Sequence, residues 1–268
     1  MPNYITECKK LIRSLNGKTY FPVALPAYNE KLSEIVLELQ AEGETEAERL
    51  GYIKILSNLS EIMRTAQPIV EDYIQQRVTN GIISDASQAR KSAAGNIFQQ
   101  FVAYTLAKNV VLGNIESEVV VTTSTKKILD DYAVIKVGDD EQKPDSDVLI
   151  YSSSDTHSPI INFSCKTSCR ERAGQTFKWK LLCDIATCDC EHKNTTEDCP
   201  ARKYHLDYHP QRKICMSFVT SDFYDEIEQP QIAAMFNFFD RSYVAKPGIE
   251  GGSIRSFENV IDYINSLY

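Results

Sequence analysis

Two short apolar segments indicate the fold of this chain: KPDSDVLIY at residues 143–151 and IINFSCK at residues 160–166. Both are bounded by turn-forming residues and are too short for a typical helix, so they predict β-strands over 147–151 and 160–165. The eight residues that join them, 152–159, suit a hairpin-sized connection. Further strands are predicted where β-branched and apolar residues run together, at residues 119–123, 132–137 and 214–220.

Helical periodicity dominates the sequence before these strands. Apolar residues recur every three or four positions through much of the first hundred residues, as on the buried face of a helix. Pro68 is expected to break or restart one of these helices, because proline lacks the N–H group that the helix needs. A further helix is expected to begin near residues 87–92. Later helices are predicted at residues 176–182 and around Phe257, Val260, Ile261 and Ile264.

This order of elements predicts an α/β fold of mixed α+β type with an N-terminal helical layer. We divide the chain into an N-terminal helical region, residues 1–85, and a core, residues 86–268. The core carries a Cys/His-rich insertion at about residues 183–209.

Composition excludes several classes of protein. Apolar residues make up 43% of the 268 residues, which is too many for a wholly disordered chain. The sequence contains no run of 18 apolar residues, so no membrane span is predicted. The first residues lack the apolar segment of a secretory signal, so a cytoplasmic location is expected. The net charge of −8 argues against binding nucleic acid by bulk positive charge, although a local basic groove remains compatible with it.

The chemistry is expected at the ends of the two central strands. Asp145 and Asp147 are two positions apart at the start of an apolar strand, so both would point to the same face. Lys166 follows where the next strand ends. Carboxylates at a strand end can hold Mg²⁺, and a neighbouring lysine can contact a phosphate oxygen or help activate water. Taken singly, an aspartate before a strand or a lysine after one also fits an ordinary turn or sheet edge.

Positive charge is concentrated directly after this site. Residues 166–180 contain five basic residues and one acid, and arginine and lysine supply most phosphate contacts in nucleic-acid complexes. Gln and Arg can also read base edges. The alternative is a solvated helix face. The candidate DNA-binding residues are Arg170, Arg172, Gln175 and Lys178, with Arg90 and Lys91 near the start of the earlier helix.

A second cluster contains four of the eight cysteines and three of the four histidines, all within residues 183–209. Structural Zn²⁺ takes four such ligands, but the spacing lacks the paired C-x2-C form, so free thiols in a polar loop are an equal alternative. The candidate zinc ligands are Cys183, Cys188, Cys190, His192 and Cys199.

Three segments together resemble the PD-(D/E)xK nucleases, and type II restriction endonucleases in particular. They are the helix RKSAAGNIFQQFV at 90–102, the pattern PDSD-(x16)-SCK at 144–166, and the run KTSCRER at 166–172. The resemblance implies a central mixed β-sheet flanked by helices. It also implies Mg²⁺-dependent hydrolysis of duplex DNA at a specific sequence, which leaves 5′-phosphates.

The resemblance also implies roles for individual residues. Asp147, or Asp145, would hold Mg²⁺, Lys166 would act on the attacking water, and Ser164 occupies the position of the motif's second acid. The acid usual on the upstream helix is Gln99 here. Glu171, Glu141 or the second aspartate of the PDSD segment would have to replace these acids.

The expected partners are double-stranded DNA, a second copy of the chain and a cognate DNA methyltransferase. Two other functions fit the same residues. One is a repair or structure-specific nuclease with the same core, and the other is a zinc-stabilised DNA-binding protein without catalysis.

Overall fold

A computed structural model describes residues 3–168, 170–187, 199–208, 212–223, 225, 227 and 234–268. Five helices form the N-terminal part: α1 (Asn3–Leu15), α2 (Phe21–Ala41), α3 (Ala47–Lys54), α4 (Leu59–Thr79) and α5 (Ala86–Val111). Helix α5 begins where predicted, because the side chain of Asp85 accepts a hydrogen bond from the backbone N–H of Gln88 and caps the helix.

The predicted break at Pro68 is wrong, since α4 continues through it from Leu59 to Thr79. Met63, Ala66 and Val70 on this helix are buried in the core, whereas Pro68 is exposed. The packing of the buried face outweighs the one hydrogen bond that proline removes, and that bond is lost on the side where water can replace it.

The core is a six-stranded mixed sheet with the order β1-β4-β5-β7-β8-β9. Strands β1 (Val119–Thr122), β4 (Val148–Ser152) and β5 (Ile160–Lys166) are antiparallel neighbours. Strands β5, β7 (Ile214–Thr220), β8 (Arg241–Val244) and β9 (Ile254–Ser256) run parallel. A second sheet has the order β3-β2-β6, formed by Asp140–Gln142, Ile135–Val137 and Leu206–Tyr208.

The main sheet is covered by different elements on its two faces. Phe163 and Cys165 of β5 belong to a hydrophobic cluster that includes the N-terminal helices. Ile160 belongs to another cluster, which includes Cys183 of α7 (Arg170–Ala186). Side chains alternate along a strand, so Ser164 and Lys166 lie on the α7 face. The predicted mixed α/β fold with a helical layer is confirmed, while the boundary at residue 85 stays a prediction.

Two further predicted elements differ from the structure. The strand predicted over 132–137 is shorter, because helix α6 (Lys126–Tyr132) occupies its first residue and β2 begins at Ile135. The predicted helix over 176–182 lies within α7, which continues through the start of the expected insertion to Ala186.

The last helix is Val260–Leu267, and it follows a short 3₁₀ turn at Phe257–Asn259. Among the described helices, none is long and apolar enough to cross a membrane.

Candidate active site

Strand directions bring the predicted catalytic residues to one edge of the main sheet. Strand β4 runs antiparallel to β5, so the start of β4 and the end of β5 share an edge, and the carboxyl ends of β7 and β8 join them. Asp147 directly precedes β4, and Lys166 is the last residue of β5. This edge therefore combines two residues that one hairpin joins, Asp147 and Lys166, with strand ends from later in the chain.

Asp147 and Lys166 form a close ion pair at this edge. The Lys166 Nζ lies 2.8 Å from Asp147 Oδ2, and the backbone N–H of Cys165 donates to the same oxygen at 2.7 Å. The side chains of Asp147 and Lys166 are 20% and 8% exposed. The pair is thus held in a poorly solvated position, where charges interact more strongly than in water.

Asp145 makes no hydrogen bond or ion pair with Asp147 or Lys166. Strand β4 begins at Val148, so Asp145 is outside it and the two-residue period that placed both aspartates on one face does not apply. The Asp145 carbonyl accepts a hydrogen bond from the Asn162 side chain at 3.1 Å, whereas its exposed carboxylate has no hydrogen-bond partner among the described residues.

Gln99 contacts Asp147 from helix α5, which packs on the face of the sheet opposite α7. Its Nε2 donates a 2.6 Å hydrogen bond from α5 to the backbone carbonyl of Asp147. The sequence indicated Gln99 only as a substitute for an acid, and no local pattern predicts this amide-to-backbone contact. The helix position that the nuclease resemblance singled out nevertheless lies beside the Asp147–Lys166 pair.

Ser164 connects β5 to α7. Its hydroxyl lies 2.8 Å from the hydroxyl of Thr176, and both residues are buried. Of the acids suggested as replacements, Glu141 is exposed on β3 of the second sheet, and the side chain of Glu171 lies outside the described part of α7.

One oxygen of the Asp147 carboxylate is available to a cation. Both donors described above bond to Oδ2 of Asp147, and no described residue donates a hydrogen bond to Oδ1. Among the described residues, no group of three His, Cys, Asp or Glu side chains could hold a metal. Mg²⁺ is commonly held by one or two carboxylates, several waters and substrate phosphate, so a single open carboxylate oxygen fits it.

The DNA-binding candidates are placed in two regions. Arg90 and Lys91 line a cavity of about 240 Å³ together with Thr167, the residue after Lys166, so they lie near the same edge. Lys178 is exposed on α7, with its ammonium group 5.9 Å from the ring centroid of Trp179. Arg170, Arg172 and Gln175 are in α7, but their side chains lie outside the described set.

Lys180, which belongs to the basic run, forms ion pairs with two acidic side chains. Its Nζ lies 2.5 Å from Asp184 and 3.5 Å from Asp240. Burial alone would lower the pKa of Lys180, but the hydrogen bond to Asp184 and the charge of Asp240 raise it overall. This lysine therefore remains charged inside an ion-pair network instead of extending the basic surface.

Two of the five candidate zinc ligands are described. Cys183 and Cys199 are both buried and belong to the same hydrophobic cluster. Burial raises the pKa of the Cys183 thiol to about 12. Cys188, Cys190 and His192 lie outside the described residues.

Comparison with known proteins identifies related chains. A family model described as BsaWI restriction endonuclease type 2 matches residues 123–264, which is 142 of the 268 residues. No curated protein matches. Among solved structures, the chain is similar to "Restriction endonuclease PspGI-substrate DNA complex", with 19% sequence identity and a TM-score of 0.43 over 90% of this chain and 92% of that one. The segment matched by the family model includes Asp147, Ser164 and Lys166, whereas Gln99 lies before it.

Proposed function

This chain belongs to the BsaWI family of type 2 restriction endonucleases, and we propose that it hydrolyses duplex DNA at a short specific sequence with Asp147 and Lys166 in its active site. The observation that carries the proposal is the 2.8 Å contact between Lys166 Nζ and Asp147 Oδ2 at the edge where β4 begins and β5 ends. A buried lysine beside a carboxylate with one open oxygen supplies both a positive group for phosphate and a ligand for a cation.

Asp147 is the residue that would hold Mg²⁺, through its open oxygen. When bound, the ion supplies Lewis-acid activation of the scissile phosphate. Gln99 fixes the backbone at Asp147, and the Cys165 N–H fixes one of its carboxylate oxygens. Asp145, exposed and two residues earlier, is the second carboxylate that we propose for the site.

Lys166 would stabilise the negative charge that develops on the phosphate during attack by water. Its ammonium donates hydrogen bonds, so it can also orient the attacking water. Water adds to phosphorus and gives one proton to solvent while the bond to the 3′-oxygen breaks, and the 3′-oxygen takes a proton from solvent. The products are a 5′-phosphate and a 3′-hydroxyl. Ser164, a catalytic candidate by its motif position, would act by holding β5 against α7.

Duplex DNA would bind across the edge that carries the ion pair. Arg90 and Lys91 are proposed to contact phosphates there, together with Arg170, Arg172, Gln175 and Lys178 of α7. A homodimer is proposed because a two-fold protein matches a palindromic site. A cognate methyltransferase encoded beside this chain would support the restriction function.

Structural zinc in the Cys/His-rich stretch remains a proposal. Cys183 and Cys199, on either side of residues 188–198, reach the same hydrophobic cluster. Elemental analysis of the purified protein tests it: about one zinc per chain supports the site, and a zinc-free, folded and active protein excludes it. Cys199→Ala should release the metal, whereas Cys8→Ala on α1 should not.

Digestion of a plasmid of known sequence, with and without Mg²⁺, tests the proposed function. Discrete fragments that need Mg²⁺, with 5′-phosphates at one repeated sequence when the ends are sequenced, are expected. Nicking without sequence preference would instead indicate a repair or structure-specific nuclease. Binding to DNA without any metal-dependent cleavage would indicate a non-catalytic DNA-binding protein.

A further inference from the structure

Four charged residues near the sheet edge form one ion-pair network. Arg64 of α4 donates to both carboxylate oxygens of Asp225, at 3.1 and 3.3 Å. Lys246, two residues after β8, bonds to the same carboxylate and lies 3.9 Å from Asp222. The two cations thus come from separate parts of the chain and converge on one acid, Asp225.

The network is adjacent to the Asp147–Lys166 pair. The segment that carries its acids follows β7, where the backbone N–H of Ser221 donates to the Lys166 carbonyl at 3.2 Å. The next link is equally direct, since the N–H of Phe223 donates to the carbonyl of Thr167 at 3.1 Å. Arg64 lies over the Phe223 ring, 5.8 Å from its centroid, and Phe223 lines the same cavity as Arg90 and Lys91.

The two acids of the network differ in exposure. Asp222 is buried, with 3% of its surface exposed, whereas the Asp225 side chain is 63% exposed. Hydrogen bonds from Lys246 and then Arg64 lower the pKa of Asp225, which keeps it charged at neutral pH. Asp222 is therefore shielded from solvent, while Asp225 is an anion on the surface that solvent and ligands can reach.

The Asp225 carboxylate is held by an arginine and a lysine, the two side chains that also bind phosphate. Arginine uses the same forked set of N–H groups for carboxylates and for phosphates. Exposed ion pairs are weak, so a second anion can displace the carboxylate at little cost. An acidic chain also needs local positive charge to hold DNA, and Asp225 neutralises two cations beside the catalytic edge.

We propose that Arg64 and Lys246 form a binding site for a backbone phosphate of duplex DNA, and that Asp225 occupies this site when DNA is absent. The inference rests on the proposed function and adds a contact from the N-terminal helical region, together with a carboxylate that competes with DNA. Binding of the phosphate would release Asp225 to solvent while Arg64 stays stacked on Phe223.

Duplex affinity measured without divalent metal tests this site. The probe is a fluorescently labelled duplex of mixed sequence, titrated at several salt concentrations. Asp225→Asn should bind severalfold more tightly than the wild type. Arg64→Ala and Lys246→Ala should bind roughly tenfold more weakly, and each should lower the slope of log affinity against log salt by about one.

A matched control releases a lysine elsewhere. Glu7→Gln frees Lys10 on α1, a helix whose Cys8 contacts Val119 at the opposite end of the sheet, and should leave affinity unchanged. Arg64→Lys keeps the charge and should retain most of the binding if the Ala variant loses stability. Thermal unfolding of each variant reports the structural effect separately.

The outcomes separate this inference from the proposed function. If Asp225→Asn binds no more tightly than the wild type while the wild type cleaves DNA, the phosphate site is wrong and the nuclease stands. A drop in thermal stability of Asp225→Asn with unchanged affinity has the same meaning, since it assigns the network to packing alone. A wild-type protein that neither binds nor cleaves DNA would overturn both.

Discussion

Gln99 on α5 donates a 2.6 Å hydrogen bond to the backbone carbonyl of Asp147, the residue that also pairs with Lys166. The contact joins the helical layer to the sheet edge that carries the Asp147–Lys166 pair. The Gln99 side chain therefore serves the backbone of the aspartate, at the position where the nuclease resemblance implies an acid.

Removing this contact should weaken catalysis more than DNA binding. In Gln99→Ala the backbone at Asp147 loses its partner, so we expect a reduced cleavage rate and a higher Mg²⁺ concentration for half-maximal rate. Titration of Mg²⁺ in a cleavage assay measures both. Asn96→Ala, on the exposed side of the same helix, serves as the control. A Gln99→Ala enzyme with the wild-type Mg²⁺ dependence would show that the contact is dispensable.

The Ser164–Thr176 hydrogen bond should contribute to stability. Ser164→Ala should lower the free energy of unfolding by about 1 kcal/mol, because one buried hydrogen bond is lost. Cleavage measured well below the unfolding temperature should stay within a few-fold of the wild type. Chemical denaturation of both single variants and the double variant Ser164→Ala/Thr176→Val checks the pairing, since coupled residues give non-additive losses. Strictly additive losses, or a collapse of cleavage in a stable Ser164→Ala protein, would contradict this role.

The protein should lose stability in alkaline solution through Cys8. Burial raises the pKa of this thiol from its ordinary value of 9.0 to about 11. Above pH 9 the unfolded thiol loses its proton while the folded one keeps it, so the folded state binds more protons and its stability falls as pH rises. This single group accounts for about 1.4 kcal/mol per pH unit between pH 9 and 11.

Comparison of Cys8→Ala with the wild type isolates that contribution. Burial also raises the pKa of other thiols and tyrosines, whose effects are common to both proteins, so the quantity to plot is the difference in unfolding free energy between the two proteins. The difference should be constant below pH 9 and shrink above it. A difference that stays flat to pH 11 would show that Cys8 does not keep its proton.

The central strands could be predicted from sequence because each is a continuous apolar run. Strands β4, β5 and β7 are buried on both faces and stand out from their neighbours. Strands β8 and β9 have four and three residues, too few for any periodicity to be read. The path of α4 through Pro68 depends on tertiary packing, which local propensity does not report.

Part of the site was predictable from sequence for the same physical reason. Asp147 and Lys166 are close in sequence and joined by one hairpin, so strand pairing alone predicts their contact. Arg64 and Asp225 are 161 residues apart, and their pairing follows only from the packing of α4 against the segment after β7. The spacing of the cysteines did not predict that Cys183 lies on a helix, because spacing carries no information on secondary structure.

Plasmid cleavage by Lys166→Ala tests the central claim most directly. Cleavage with saturating Mg²⁺ is measured beside duplex binding without metal, and Lys10→Ala, an exposed lysine of α1, is the control. Removal of the ammonium that pairs with Asp147 should lower the cleavage rate at least about 100-fold, with duplex affinity close to that of the wild type. Cleavage by Lys166→Ala at the wild-type rate would contradict the assignment of this edge as the active site.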